Sequence, residues 1–379
     1  MKKAIKKQIT IVYRFLPHYR YEFFQGLYKA LKKKGINLNL IYGKNKNPAR
    51  QDEMDIDWAV SVKNVEIKIR NSMFLWVPVP AKTVFNSDLI VLMQENKILS
   101  NYSLFLRAKL KRKKLALWGH GLNHQAYPNS LGNRFKRLYS ANVNWWFAYT
   151  KGVASKVEAM GFPKDRISII QNAIDTEKLI KAYDNCARED VWNLRKAMSI
   201  NDGPVGLFCG GMIPGKRLGF IISACKQIKK KLPCFQMIFI GAGEESQKVE
   251  REAAINNWIH FVGPKLGKER VKFFKIADVL LMPGMVGLAI LDSFAMKTAL
   301  ITTDHSWHGP EIEYLENYWN GLMVPNTLES YSEAVVEVLS NKKMMADLKQ
   351  HCRESALKYT IEQMVNNFVE GVLQCLQIK

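Results

Sequence analysis

The chain has 379 residues, 47% hydrophobic and 24% charged, values of a globular protein long enough for two cores and unlike those of a disordered or fibrous chain. Its net charge of +22 is unevenly placed: residues 1–190 hold 34 Lys and Arg against 15 Asp and Glu, or +19, and the remaining 22 and 19 leave +3 for residues 191–379. No stretch reaches the roughly 18 apolar residues of a membrane span, and the basic start MKKAIKKQITIVYRF leads straight into a strand pattern, not a signal peptide.

A half so basic faces something anionic, a lipid surface or a nucleic acid. The six cysteines (Cys186, Cys209, Cys225, Cys234, Cys352, Cys375) show no CxxC pairing. They read as reduced thiols of a cytoplasmic protein, so any membrane role is peripheral.

In chain order, ITIVYRF (9–15) is the first expected strand, ended by Pro17. A helix follows from about Tyr19 to Lys34, stopped by Gly35, and INLNLIYG is the second strand. The next loop contains Asp55-Ile-Asp57, a spacing that can hold a metal, but no strand precedes it and no metal is inferred. Residues 73–85 are apolar and aromatic with two prolines and little helical period. SDLIVLM is a strand, and a helix from about Ser100 ends in the basic run KLKRKK (109–114). LALWGHGLN is a strand running into a loop, with His120 between two glycines at its carboxyl end. RFKR (134–137) adds basic residues before two tryptophans, SKVEAMGF is a helix, and RISII is a strand before a turn at Asn172–Asp175.

The second half restarts the pattern. PVGLFCGG, FQMIFI, WIHFVG, DVLLM and ALIT predict about five parallel strands with helices between them, and three helices close the chain near 329–339, 342–357 and 361–377. Two α/β sheets in tandem account for this better than one large sheet.

Three stretches carry chemistry. Between DVLLM and ALIT, Pro283 and Gly284 break the chain, Gly287 opens a helix, and Asp292 follows on its first turns. A strand, glycine turn and helix place free N–H groups at the carboxyl edge of a sheet, where an anion is expected. A carboxylate close by can accept from a ribose hydroxyl, which makes this a candidate nucleotide site. GGMIPGKR (210–217) again leaves backbone open after a strand and then supplies Lys216 and Arg217, both phosphate-binding types. GAGEES (241–246) has the first two glycines of a dinucleotide fingerprint but not the third, so a tight turn near a neighbouring strand is the better reading. His305 and His308 follow Asp304, but no third ligand is evident and no metal is inferred.

These pieces, in this order, resemble the retaining GT-B glycosyltransferases with a Glu-x7-Glu motif (glycosyl transferases group 1), in a divergent branch with PGxVGL and DSFA. IQNAID (170–175) is similar to that family's turn between domains, FCGGMIPGKR to its diphosphate loop, FVGP to the segment whose backbone holds the nucleobase, and MPGMVGLAILDSFAM to its donor motif. The resemblance implies an α/β fold of two Rossmann-like domains facing across a cleft with C-terminal helices. They would be an acceptor-side domain at 1–175, a nucleotide-sugar domain at 176–357, and a helix at 358–379 packing back on the first.

It also implies a nucleotide-sugar site of Gly211, Lys216, Arg217, Val262, Gly263, Pro264, Gly284, Gly287, Leu288, Ala289 and Asp292. His120 and Lys216 would be catalytic, and His18, Tyr19 and Arg20 would border the acceptor. The family's diphosphate Arg falls at Gly211 and its first Glu at Gly284, with Arg217 left to supply the lost charge; Asp292 is one methylene shorter than the second Glu. The implied reaction moves a sugar from a nucleoside diphosphate sugar, UDP-linked, to a saccharide acceptor with retention, without metal or other cofactor. A lipid-linked acceptor of bacterial envelope polysaccharide (lipopolysaccharide, O-antigen or capsule) would explain the basic half. KLKRKK, RFKR and the aromatics at 74–76 and 145–147 would then meet the anionic inner face of the plasma membrane, and no nucleic acid is expected. The alternatives are a nucleotide-sugar 2-epimerase on the same fold and a non-catalytic basic binding protein.

Overall fold

The computed structural model describes residues 7–44, 54–70, 72–121, 139–200 and 202–378. They form two compact units, residues 1–174 with 361–379 and residues 175–360.

The first unit opens with β1 (Lys7–Tyr13), α1 (Tyr21–Lys33) and β2 (Ile36–Lys44). Phe23, Phe24, Leu27 and Leu31 recur at helical spacing, so α1 buries one stripe. After β3 (Val60–Lys63), the aromatic stretch with little helical period enters an antiparallel hairpin, β4 (Val65–Ile69) with β5 (Ser72–Trp76), and then a short α2 (Ala81–Asn86). Pro78 and Pro80 lie between the two elements, where no ladder or helix needs their missing N–H. β6 (Leu89–Met93), α3 (Ser100–Leu110), β7 (Lys114–Gly119), β8 (Trp145–Ala148), α4 (Lys151–Ala159) and β9 (Ile167–Ile169) complete a seven-stranded parallel sheet in the order β3-β2-β1-β6-β7-β8-β9. Its central strands are near-continuous apolar runs because helices cover both faces of such a sheet.

That continuity corrects one expectation. Trp145, Trp146 and Phe147 are buried in β8, in the core and not at a membrane surface. RFKR lies outside the described residues.

The second unit runs α5 (Thr176–Asp184), α6 (Arg188–Ala197), β10 (Val205–Cys209), α7 (Leu218–Lys231), β11 (Gln236–Ile240), α8 (Ser246–Ile255) and β12 (Ile259–Phe261). Then come α9 (Val271–Ile276), β13 (Val279–Leu281), α10 (Ala289–Ala295), β14 (Ala299–Thr303), β15 (Gly321–Val324), α11 (Leu328–Ser340) and α12 (Lys342–Lys358). The sheet has six parallel strands, β12-β11-β10-β13-β14-β15, one more than expected; the addition is the short edge strand GLMV. The chain winds one way through β10, β11 and β12 and the other way through β13, β14 and β15. The carboxyl ends of β10 and β13 therefore flank a topological switch point, where open α/β sheets bind ligands.

The last helix, α13 (Ile361–Gln377), belongs to the first unit. Phe368 stacks on Phe147 with ring centroids 4.1 Å apart and packs against Phe23 and Trp118. A Cβ on Gly371 would come within 2.2 Å of Ser168 Oγ, so only glycine allows α13 this close. Lys114 Nζ donates to the carbonyls of Cys375 and Leu376, placing a cation at the negative end of the helix. Among the described residues, no helix is long and apolar enough to cross a membrane.

Candidate functional site

The loop after β10 is built by backbone approaching backbone. Gly210 N–H donates to Ile240 O and Met212 N–H to Ala242 O, knitting this loop to the Gly241–Gly243 turn. A Cβ on Gly241 would meet Gly210 O at 1.9 Å, and one on Gly243 would meet Met212 O at 2.3 Å. The two glycines of GAGEES thus serve the neighbouring loop.

Gly284 has the same kind of role. A Cβ there would lie 2.4 Å from Gly215 O and 2.8 Å from the Lys216 carbonyl carbon, and Met285 N–H donates to Gly215 O at 2.8 Å. No glutamate fits where the resemblance places the first Glu. Gly211, where the family carries Arg, has nothing within 4 Å of a Cβ and stands open.

Lys216 lies at this junction. Its Nζ donates to Met285 O, and its other neighbour is Met282 Sδ at 3.6 Å. Among the described residues no carboxylate pairs with it. Burial pulls its pKa down to about 8. It is a largely desolvated cation at a switch point, held by one backbone carbonyl.

Arg217 is in the left-handed conformation at φ 58°. Its guanidinium reaches Asn326 Oδ1 at 2.6 Å, Pro283 O at 3.4 Å and Thr303 Oγ1 at 3.5 Å. A second guanidinium nearby, that of Arg270 just before α9, is paired with a carboxylate. It grips both Asp292 oxygens at 2.7 Å, and the Cys209 thiol, pushed up to about 11 by burial, lies within the fields of Arg270 and Lys216. The bidentate pair takes one lone pair on each oxygen of the carboxylate assigned to a ribose. Sequence reasoning missed Arg270, 22 positions from its partner and on another element.

The loop 283–288 and the end of β14 are fastened by His308. Its Nδ1 accepts from Val286 N–H at 3.0 Å, so its Nε2–H donates to Thr303 O at 2.7 Å. Burial, then the nearby His305 and Lys216, lowers its pKa. With both ring nitrogens engaged, His308 has no lone pair left for a metal. Gly287, Leu288 and Ala289 follow at the start of α10, which has seven residues. Val262, Gly263 and Pro264 lie beyond β12, where Gly263 O accepts from Gly241 N–H at 3.1 Å.

In the first unit, His18 is exposed and Tyr19 half-buried on the turn after β1. Arg20 departs from them: it is 2% exposed, donates to Asn172 Oδ1 and to Ala173 O at 3.4 Å, and lies 5.1–5.8 Å from the rings of Tyr19, Trp118 and Tyr149. Its guanidinium holds the 172–173 turn, so of the three residues expected to border the acceptor it is the buried one. His120 is exposed at the end of β7, against Tyr149 at 4.5 Å.

Residues 203–341 match the family model described as Glycosyl transferases group 1. The whole chain is similar to a glycosyltransferase structure from Rickettsia africae, at 15% identity and TM-score 0.73, covering 99% of this chain and 100% of that one. It is similar to HepE of Anabaena, solved with UDP and with UDP-glucose, at 12% identity and TM-score 0.70, covering 97% and 99%. A putative UDP-N-acetylglucosamine 2-epimerase of Listeria monocytogenes matches at 12% identity and TM-score 0.65, covering 97% and 96%. No curated protein matches the chain. The fold is GT-B, and the family match with that fold supports a nucleotide-sugar glycosyltransferase.

Proposed function

We propose that the chain transfers a sugar from a UDP-sugar to a saccharide hydroxyl, with the donor diphosphate on Lys216. The observation that carries this reading is the largely desolvated Lys216 ammonium at the switch point, with which no carboxylate among the described residues pairs. A part-buried cation of that kind is satisfied by an anion. Lys216 would stabilise charge developing on the departing diphosphate, aided by N–H groups at Gly287–Ala289. The Gly210–Gly211 backbone would border the phosphates, Val262–Pro264 would hold the base, and Gly284 would let loop 283–288 close against Lys216. Asp292 would act through Arg270, whose guanidinium then faces the ribose. His120 would orient the transferred sugar, His18 and Tyr19 would meet the acceptor, and the transfer would retain configuration.

Thermal shift against UDP-, GDP- and CMP-sugars tests the donor site. A ligand at about 100 times its dissociation constant adds roughly 2.7 kcal/mol of stability. The expected result is a shift with UDP-sugars that Lys216→Ala abolishes. Hydrolysis or epimerisation of the donor without any acceptor would favour the 2-epimerase alternative.

The acceptor in this reading is lipid-linked, in bacterial envelope polysaccharide synthesis at the inner face of the plasma membrane. Phe85 (47% exposed), Leu106 (61%) and Leu110 (81%) stand out of α2 and α3 among Lys109, Lys111 and Arg112, with Lys111 Nζ over the Phe85 ring at 5.1 Å. Apolar side chains flanked by lysines suit an anionic bilayer, where each Lys or Arg contributes about 1 kcal/mol. Sedimentation with phosphatidylglycerol vesicles should be lost in the Leu106→Asp, Leu110→Asp double variant. Equal binding to phosphatidylcholine vesicles would contradict the electrostatic part.

A further inference from the structure

The loop after β14, residues 304–309, carries an indole that the donor chemistry above leaves unused. Trp307 is 51% exposed. Its ring stands edge-on to His305 at 5.3 Å, and its backbone N–H donates to His305 Nδ1 at 3.2 Å. Immediately after it, His308 binds both Thr303 O and Val286 N–H, and Gly309 N–H donates to Val286 O at 2.6 Å. The indole is therefore presented by a segment fixed to a strand end and to the loop 283–288. The residues flanking it lie near the cations: Arg217 acts on His305 and reaches Thr303 at 3.5 Å, and Lys216 acts on His308.

The sheet order says what such a ring would meet. β10, whose following loop holds Lys216, has β11 and β12 on one side and β13 and β14 on the other. Strands are about 4.8 Å apart, so β12 and β14 each lie roughly 10 Å from β10 in opposite directions. A nucleoside diphosphate sugar centred on Lys216 with its base at Val262–Pro264 extends its sugar toward β14. There the negative face of an indole offers a large, rigid apolar surface to the C–H face of a pyranose.

We propose that Trp307 is the stacking platform of the donor-sugar subsite and so a determinant of which sugar is transferred; this rests on the donor reading above. It gives the chain a sugar contact that does not require the glutamate Gly284 excludes.

The test compares Trp307→Ala and Trp307→Phe with the unaltered full chain. Each is titrated with the tightest-binding hexose among UDP-, GDP- and ADP-linked sugars, and with the matching nucleoside diphosphate alone. Trp307→Ala is expected to bind the bare nucleoside diphosphate within about twofold of the unaltered protein, yet to lose at least tenfold in affinity for the sugar nucleotide. Trp307→Phe should recover most of that loss. Equal losses for both ligands, or no loss for either, would overturn the proposal and leave the donor site standing. Failure of the unaltered protein to bind any nucleotide would overturn both readings.

Discussion

Lys216 is an unfavourable residue for the free protein and a favourable one for an anion. A lysine whose pKa falls from 10.5 to about 8 on folding is charged in both states at neutral pH, so the folded state bears the penalty there and sheds it between pH 8 and 10.5. At about 1.4 kcal/mol per pKa unit the cost is a few kcal/mol at most. Lys216→Met is therefore expected to keep or raise the melting temperature without ligand while losing nucleotide binding; a drop of several degrees would count against this account. Nucleotide affinity of the unaltered chain should fall about tenfold per pH unit above 8, measurable by titration between pH 7 and 9.5. The two departures from the resembled motif separate cleanly. Gly284→Ala drives a Cβ into the Gly215 carbonyl and should destabilise by several degrees or more, whereas Gly211→Ala meets nothing and should be neutral. The sequence showed that Gly284 was not a glutamate but not why, because the excluding backbone is 69 positions away. It likewise offered Arg217 as the replacement cation but did not show its Asn326 contact or the Arg270–Asp292 pair, because those partners lie on other elements.

The elements were legible wherever apolar periodicity was strong. The helices expected near 329–339, 342–357 and 361–377 are α11, α12 and α13, and DVLLM and ALIT are β13 and β14. The hairpin β4–β5 was not, because exposed strands on a two-stranded ribbon leave no clean alternation. The histidine pair after β14 was considered only for metal, while its second member is a fastener. His308 must stay neutral to accept from Val286, and its pKa lies below that of an unfolded histidine. The unfolded chain then binds the extra proton, so this contribution is present above about pH 6.5 and is lost as pH falls below it. His308→Gln keeps one acceptor and one donor. The variant should show a shallower decline in melting temperature between pH 6.5 and 5; an identical decline would remove His308 from the cause.

At the scale of the molecule, the chain passes between its units twice, near 174 and near 360. Residues 175–360 hold a complete six-stranded sheet with its helices, whereas residues 1–174 lack α13, on which Phe23, Trp118 and Phe147 close. A fragment of residues 175–360 is expected to be soluble, to unfold cooperatively and to bind the nucleotide with Lys216. A fragment of residues 1–174 should aggregate unless 361–378 is supplied with it, as gel filtration of the separate and co-expressed pieces would show. Solubility of 1–174 alone would mean that its core closes without α13.

That double passage also sets an order of birth. On the ribosome the unit begun first is finished last: its seven strands can be synthesised while the groove for α13 stays bare until residues 361–377 emerge. At roughly 5–20 residues per second, about 190 further residues take on the order of 10–40 s. During that interval a nascent chain rich in lysine exposes Phe23, Trp118 and Phe147 to whatever can hold them, and a helper that shields apolar surface has its longest opportunity there.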